Sequence, residues 1–305
     1  MKRIVIAGGS GFIGAPLVRR LIASGNDVAV LTRNPSNVHA GHAVSWNPPA
    51  EGSWVEDIAG SDVVINFAGE NVGGGRWTDG RKGRITQSRF AATTALVSAM
   101  ARNPNKPNDR PRTLINASAI GFYGDRGDES LDEDSPPGTG FLAGVTKRWE
   151  ELARTAEPFA RVVILRFGIV LAGDGGALAK LLLPFRLGAG GPMGSGRQWM
   201  SWIDREDVLR MIEWSIDHHN VSGVYNATAP APATNRDFAK ALGRVLHRPA
   251  IIATPAFALR LALGSEMADE MLLSGQRVLP KRATKEGFAF AHPELDAALT
   301  HAISG

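Results

Sequence analysis

The 305-residue sequence contains no cysteine. Disulfides, thiolate metal centres and a cysteine nucleophile are therefore excluded, and the composition fits a reducing compartment such as the cytoplasm. Tyrosine is scarce as well. Tyr123 and Tyr225 are the only two, so any chemistry that needs a phenol must draw on one of them. No apolar run reaches the length of a membrane span, because Arg166 interrupts even "VVILRFGIVL". The opening "MKRIVIAGG" runs straight into a strand-like stretch, so no secretory leader is expected. Charge is nearly balanced, 34 basic and 30 acidic residues giving +4, although Arg76, Arg81, Lys82, Arg84 and Arg89 gather around one acid, Asp79, either as a field for an anionic ligand or as a solvated helix face. With the basic residues otherwise scattered, neither nucleic acid nor a membrane is an expected partner. The seven histidines (His39, His42, His218, His219, His247, His292, His301) show no paired ligand spacing, so no metal is expected. A G-x-S-x-G elbow and the Gly-Lys-Ser/Thr ending of a phosphate-transfer loop are also missing.

What is present alternates. Nearly continuous Val/Ile/Leu runs at 3–8, 27–33, 62–69, 113–119 and 161–168 read as strands buried on both faces. Amphipathic stretches at 15–25 and 89–101 lie between them, and a further helical stretch covers 204–219. Strands and helices alternating at this spacing imply right-handed crossovers and a parallel sheet. The Pro- and Asn-rich segment 102–111 reads as a surface loop, and Gly and Pro crowd 186–196. The expected fold is α/β: a Rossmann-type doubly wound parallel sheet with a smaller C-terminal α+β substrate lobe. Residues 1–170 plus about 204–228 are assigned to the first and about 171–203 plus 229–305 to the second.

"AGGSGFIG" sits between the first strand and the first helix, with Gly8, Gly11 and Gly14 at G-x-x-G-x-x-G spacing. In that context the pattern is a dinucleotide loop. Gly8 allows the tight turn, Gly11 lets backbone approach a pyrophosphate, and Gly14 lets helix pack on strand. Ser10, Phe12 and Ile13 belong to the same cradle. The second strand ends "LTRN", with Thr32 and Arg33 where an NAD-specific protein would carry a carboxylate. Arg33 can pair with a 2′-phosphate, so NADP(H) is the expected cofactor; the plain alternative is a solvated loop arginine.

"GGSGFIG", "NFAGE", "SAIGFYG", "LRFGIVL" and "GSGRQWMSWIDREDV", in this order, resemble the extended short-chain dehydrogenase/reductase superfamily of nucleotide-sugar epimerases and dehydratases. "FAGENVGGGRW", "SRFAATTAL", "LLLPFRLGAGGPMGSGRQWMSWI" and the stretch 255–290 are similar to its poorly characterised epimerase-like subfamily, which has its own C-terminal domain. The resemblance covers nearly the whole chain. It implies that Phe67, Ala68, Gly69 and Glu70 lie beside the adenosine half of the cofactor and that Arg89 contacts a phosphate. A surface ion pair is the plain alternative for Glu70 and Arg89.

In that superfamily a Ser or Thr, a Tyr and a Lys act together, the Lys lowering the phenol pKa so that Tyr can exchange a proton with substrate. Ser118 and Lys147 fit two of the three. The Tyr position, four residues before Lys147, is Ala143. Tyr123, five residues past Ser118, is the candidate for supplying the phenol from another direction, or else a packed loop anchor. Arg197, Gln198 and Trp202 are implied to line a substrate pocket. Two readings follow: an NADP(H)-dependent oxidoreductase or epimerase-like isomerase acting on a small polar, sugar-like substrate, or a non-catalytic NADP(H) binder that presents a conformation to a protein partner. Kept Lys147 favours the first, and Ala143 favours the second.

Overall fold

The computed structural model describes residues 1–102 and 112–304. Its centre is a seven-stranded sheet: β1 (Arg3–Ala7), β2 (Asp27–Thr32), β3 (His42–Ser45), β4 (Val63–Asn66), β5 (Arg112–Ala119), β6 (Ala160–Phe167) and β7 (Gly223–Ala227). The strands lie in the order β7-β6-β5-β4-β1-β2-β3, and every pair is parallel. The order reverses between β1 and β4, and the chain leaves these two strands toward helices on opposite faces of the sheet, the switch point whose crevice binds ligands in such sheets.

Both sheet faces are covered, which is why the strands read as unbroken apolar runs. Ile4, Ile6 and Val30 pack against α1 (Gly14–Ala23) and, further along the chain, a helix over Arg205–Asp217. Val5, Ala7 and Val64 face α2 (Trp54–Gly60), α3 (Asp79–Ala101) and α4 (Phe141–Arg154). A separate core joins Leu178, Leu182 and Phe185 of α5 (Gly176–Arg186) to Phe238 and Leu242, with Trp202 at its centre. The helix Arg205–Asp217 is α6, and α7 (Asn235–Leu246) carries the last two contacts. Four short helices follow: α8 (Ala256–Leu263), α9 (Ser265–Ala268), α10 (Lys281–Lys285) and α11 (Leu295–Ser304), with one π-helical turn at Asp269–Leu273. Among the described residues no helix is long and apolar enough to cross a membrane.

Five expected strands and the helices near 15–25 and 204–219 are present, with ends moved by a few residues. The strand expected to run to 69 stops at Asn66, whose Oδ1 accepts from the Ala68 amide at 3.1 Å and turns the chain. Helix α3 begins ten residues before the expected start. Thr78 caps it by accepting from the Arg81 amide at 3.2 Å, and its polar first turns hid it from an apolar-periodicity reading. Edge strands β3 and β7 were not anticipated; each is short, and "HAVS" and "GVYNA" lack a long apolar run. The expected loop 102–111 lies, beyond Arg102, outside the described residues.

Candidate nucleotide site and the buried cluster beneath it

The glycine loop is shaped by contacts no side chain would permit. Gly8 has φ +81°, and a Cβ there would stand 3.1 Å from the Phe67 carbonyl carbon. At Gly14 it would lie 2.3 Å from the Gly8 oxygen. The loop after β1 thus touches the loop after β4 on one side and closes on its own helix on the other. Gly11 and Ser10 are exposed, and the Gly11 amide donates to Gly8 O at 3.0 Å. Helix α1 opens with no side-chain cap and no acid in its first turn, so its amide dipoles face the crevice uncompensated. Phe12 turns away: its ring lies against Gly175 and Gly176 at the start of α5, with Arg205 stacked on it at 5.2 Å. Ile13 is half-buried and packs on the sheet core. Thr32 Oγ1 accepts from the Asn34 amide at 3.2 Å, and Arg33 is exposed at the same strand end.

The loop Phe67–Glu70 is held from below. Asn66 donates through Nδ2 to Thr93 Oγ1 (2.9 Å) and to Asn116 Oδ1 (2.7 Å), while Trp149 Nε1 donates to the same Thr93 hydroxyl (2.8 Å). Strand register sets this up, because β4 and β5 align Asn66 with Asn116. From above, Arg89 Nη1 donates to the Glu70 and Ile85 carbonyls, each at 3.0 Å, and its guanidinium stacks on Trp149 at 5.1 Å. Burial lowers the Arg89 pKa to about 10, with the Glu70 charge opposing. Arg81 donates to Asn71 O at 2.7 Å and stands 3.6 Å from Glu70 Oε1. The Glu70 amide itself donates to Ser88 Oγ at 2.9 Å. Arg89 and Glu70 are therefore parts of a scaffold behind Gly69, which stays exposed.

The three candidate catalytic residues do not converge. Ser118 is 3% exposed, and its hydroxyl donates to Glu150 Oε1 at 2.6 Å. Glu150 forms a two-point pair with Arg166, both contacts at 2.8 Å. Arg166 Nη1 donates to the Tyr123 hydroxyl at 2.8 Å, which itself lies 2.7 Å from Asn226 Oδ1 and 2.9 Å from Asp132 O as acceptors. The guanidinium also lies 3.5 Å from the Phe122 ring centre. Register again assembles the cluster: β5, β6 and β7 place Ser118, Arg166 and Asn226 side by side. Burial of Arg166 opposes its charge, but Glu150 outweighs that and its pKa stands above the ordinary value. Tyr123 is 0% exposed, and burial pushes its phenol up to about 12. Its position after β5 is as anticipated, and the turn Ile120–Tyr123 folds the ring inward, so that Tyr123 packs as a loop anchor in this structure. Lys147 is exposed on α4, one turn beyond buried Ala143.

The expected substrate residues part in the same way. Trp202 is wholly buried, donating to Ala231 O at 3.0 Å, and packs in the core that joins α5 to α7. Gln198 donates to Met193 O (3.0 Å) and Leu272 O (2.7 Å), leaving its enclosed Oε1 without a partner. Arg197 is exposed.

Sequence reasoning missed the C-terminal contribution. Both Glu270 carboxylate oxygens accept from the first amides of α4, Phe141 at 2.7 Å and Leu142 at 2.9 Å. Lys82 pairs with Glu266 at 2.8 Å, and Arg76 donates to Leu261 O at 3.3 Å. Of the basic residues of 76–89, Arg76 and Lys82 thus tether this segment to the C-terminal helices, while Arg81 and Arg89 hold the Glu70–Asn71 loop. No spacing rule links residues so far apart in sequence.

Comparison with known proteins agrees with this geometry. The profile of the NAD dependent epimerase/dehydratase family matches residues 4–228, and that of a domain of unknown function (DUF1731) matches residues 254–302. An epimerase family protein of Mycobacterium leprae is 40% identical over 303 residues, spanning 99% of this chain and 95% of its own. The crystal structure of human epimerase family protein SDR39U1 with NADPH superposes with a TM-score of 0.87 at 33% identity, covering 99% of both chains. UDP-glucuronic acid 4-epimerase from Bacillus cereus, in complex with NAD, shares the fold at a TM-score of 0.75 and 17% identity, over 99% of this chain and 95% of that one. The glycine loop, the all-parallel sheet and these matches together establish that the chain belongs to the NAD dependent epimerase/dehydratase family.

Proposed function

We propose that the chain binds NADP(H) in the crevice between β1 and β4, and that it does so without the phenol-based proton transfer of its superfamily. The glycine cradle fits a pyrophosphate: backbone lies where any Cβ would collide, and an uncapped helix start faces it. Gly8, Ser10, Gly11 and Gly14 would hold the phosphates, and Arg33 with Thr32 the 2′-phosphate. Exposed Arg33 at the end of a strand with no carboxylate is the observation that carries NADP(H) over NAD(H). The relative solved with NADPH supports the same choice. When bound, the nicotinamide supplies or accepts hydride.

Burial of both Ser118 and Tyr123 in the Arg166 cluster supports a nucleotide-binding protein whose output is a conformation read by a partner. A second reading keeps the oxidoreductase or isomerase activity on a small polar substrate, and one observation favours it: Lys147 remains open on α4. Titration of the purified protein with NADPH and NADH separates the cofactors. NADPH is expected to bind at least about tenfold tighter, and Arg33→Ala to erase that margin while leaving NADH unchanged. Equal affinities in the parent protein would overturn the assignment. NADPH oxidation measured against carbonyl compounds and nucleotide sugars, with Lys147→Met as the comparison, decides between binder and enzyme.

A further inference from the structure

Three residues meet in space: Asp204 at the start of α6, His292 ahead of α11 and His301 within α11. Asp204 ends the short strand Trp202–Asp204 and caps α6, Oδ1 accepting from the Glu206 amide at 2.7 Å. Its side chain is 1% exposed, and Oδ2 lies 3.0 Å from His301 Nδ1 on α11. The His292 ring is stacked on that of His301, with centroids 4.1 Å apart and planes at 19°. His292 is held by its own backbone, its amide donating to Asp207 Oδ2 at 2.9 Å, as the Ala291 amide does to Oδ1 at 2.6 Å. One ligand atom from each of Asp204, His292 and His301 lies within 4.8 Å of the other two.

The charges here are unbalanced. Asp204 and Asp207 are both buried; Arg210 stands 3.9 Å from Asp207, and the ion-pair partner described for Asp204 is His301. A dication would balance the carboxylates and engage both rings at once. From this geometry we infer that Asp204, His292 and His301 form a site for a divalent transition metal of the zinc class, clasping α11 to the start of α6. Two nitrogens and one oxygen suit such an ion and not magnesium or calcium, which take oxygen ligands. Metal–ligand distances of about 2.0–2.2 Å are reached when the His292 ring turns out of the stack, so that its lone pair converges with that of His301. The half-exposed edge of His301 leaves room for water in the remaining position, and the Glu206 amide orients Asp204 from behind.

The full-length protein, stripped with chelator, is titrated calorimetrically with Zn²⁺ and in parallel with Mg²⁺. One Zn²⁺ per chain with a raised melting temperature is expected, with no Mg²⁺ uptake. His301→Gln and His292→Gln should each weaken Zn²⁺ by at least about tenfold, because each removes one nitrogen that would bind the ion. Asp204→Asn retains the helix cap and should weaken it too, while His218→Gln/His219→Gln leaves it unchanged. Absence of saturable uptake, or uptake lost with His218 and His219 but kept in His301→Gln, would overturn the site.

Discussion

Alkaline titration tests the buried cluster directly, because this chain has two phenols and no others. Tyr123 is pushed from its ordinary 10.0 to about 12, chiefly by burial, with the Arg166 guanidinium pulling the other way. Tyr225 is also pushed up to about 12, by burial and by donating its hydroxyl to Glu286 Oε2 at 2.7 Å. A phenol whose folded pKa exceeds its unfolded pKa keeps its proton where the unfolded chain has lost it. Its contribution is whole below pH 10 and disappears as the pH rises toward about 12. At ~1.4 kcal/mol per pH unit, Tyr123 alone accounts for ~3 kcal/mol of stability lost across that window. Tyrosinate absorbance and far-ultraviolet circular dichroism, followed together, should stay flat to pH 10 and then change in concert, because ionisation requires opening. A tyrosinate signal that appears below pH 10 with the fold intact would refute the reasoning. It would show a solvent-reached, acidified phenol and reopen a catalytic role for Tyr123.

Three further outcomes are expected. Arg166→Met or Glu150→Gln alone should cost about 3–5 kcal/mol in urea unfolding, because each leaves the other partner stranded in the interior. The double replacement Glu150→Leu/Arg166→Met should cost less than the sum by about 2 kcal/mol or more; strict additivity would mean that water reaches the pair. Glu270→Ala removes both acceptors at the start of α4 and should cost about 1–2 kcal/mol, with faster hydrogen exchange at Phe141 and Leu142; unaltered exchange there would count against the cap. Gly14→Ala forces Cβ onto the Gly8 oxygen and should weaken NADPH by more than about tenfold. Gly83→Ala, on α3 with nothing within 4 Å of its Cβ, should instead stabilise by about 0.5–1 kcal/mol. Equal effects of the two would show that helix propensity, not contact, governs both.

Much of the frame was legible because it is local. The runs around Ile4, Val30, Val64, Leu114 and Val163 announce doubly buried strands, and Gly8 and Gly14 announce the turn between the first of them and its helix. The cluster beneath the site was not, because it exists only across register. Asn66, Asn116, Ser118, Arg166 and Asn226 are spread over four apolar strands, and the sheet alone brings Asn66 beside Asn116 and Ser118 beside Arg166 and Asn226. A polar residue recurring near the end of each core strand was the available signal. Tyr123 shows the converse: its place on a loop after β5 reads correctly, but loop position does not report whether a ring points outward or inward. The cap from Glu270 and the meeting of Asp204 with His292 and His301 depend on tertiary contacts for which spacing offers no cue.

The contact between Glu270 and α4 also governs how the molecule can be divided. A chain ended after α7 would lose the acceptors for Phe141 and Leu142, the partner of Lys82 and the strand pairing of Arg277–Val278 with Ser130–Leu131. The nucleotide half would then carry exposed helix-start amides beside the segment that holds Lys147. The last fifty residues thus complete contacts that the nucleotide half cannot make by itself, and a cut at the sequence boundary would leave those contacts unmade.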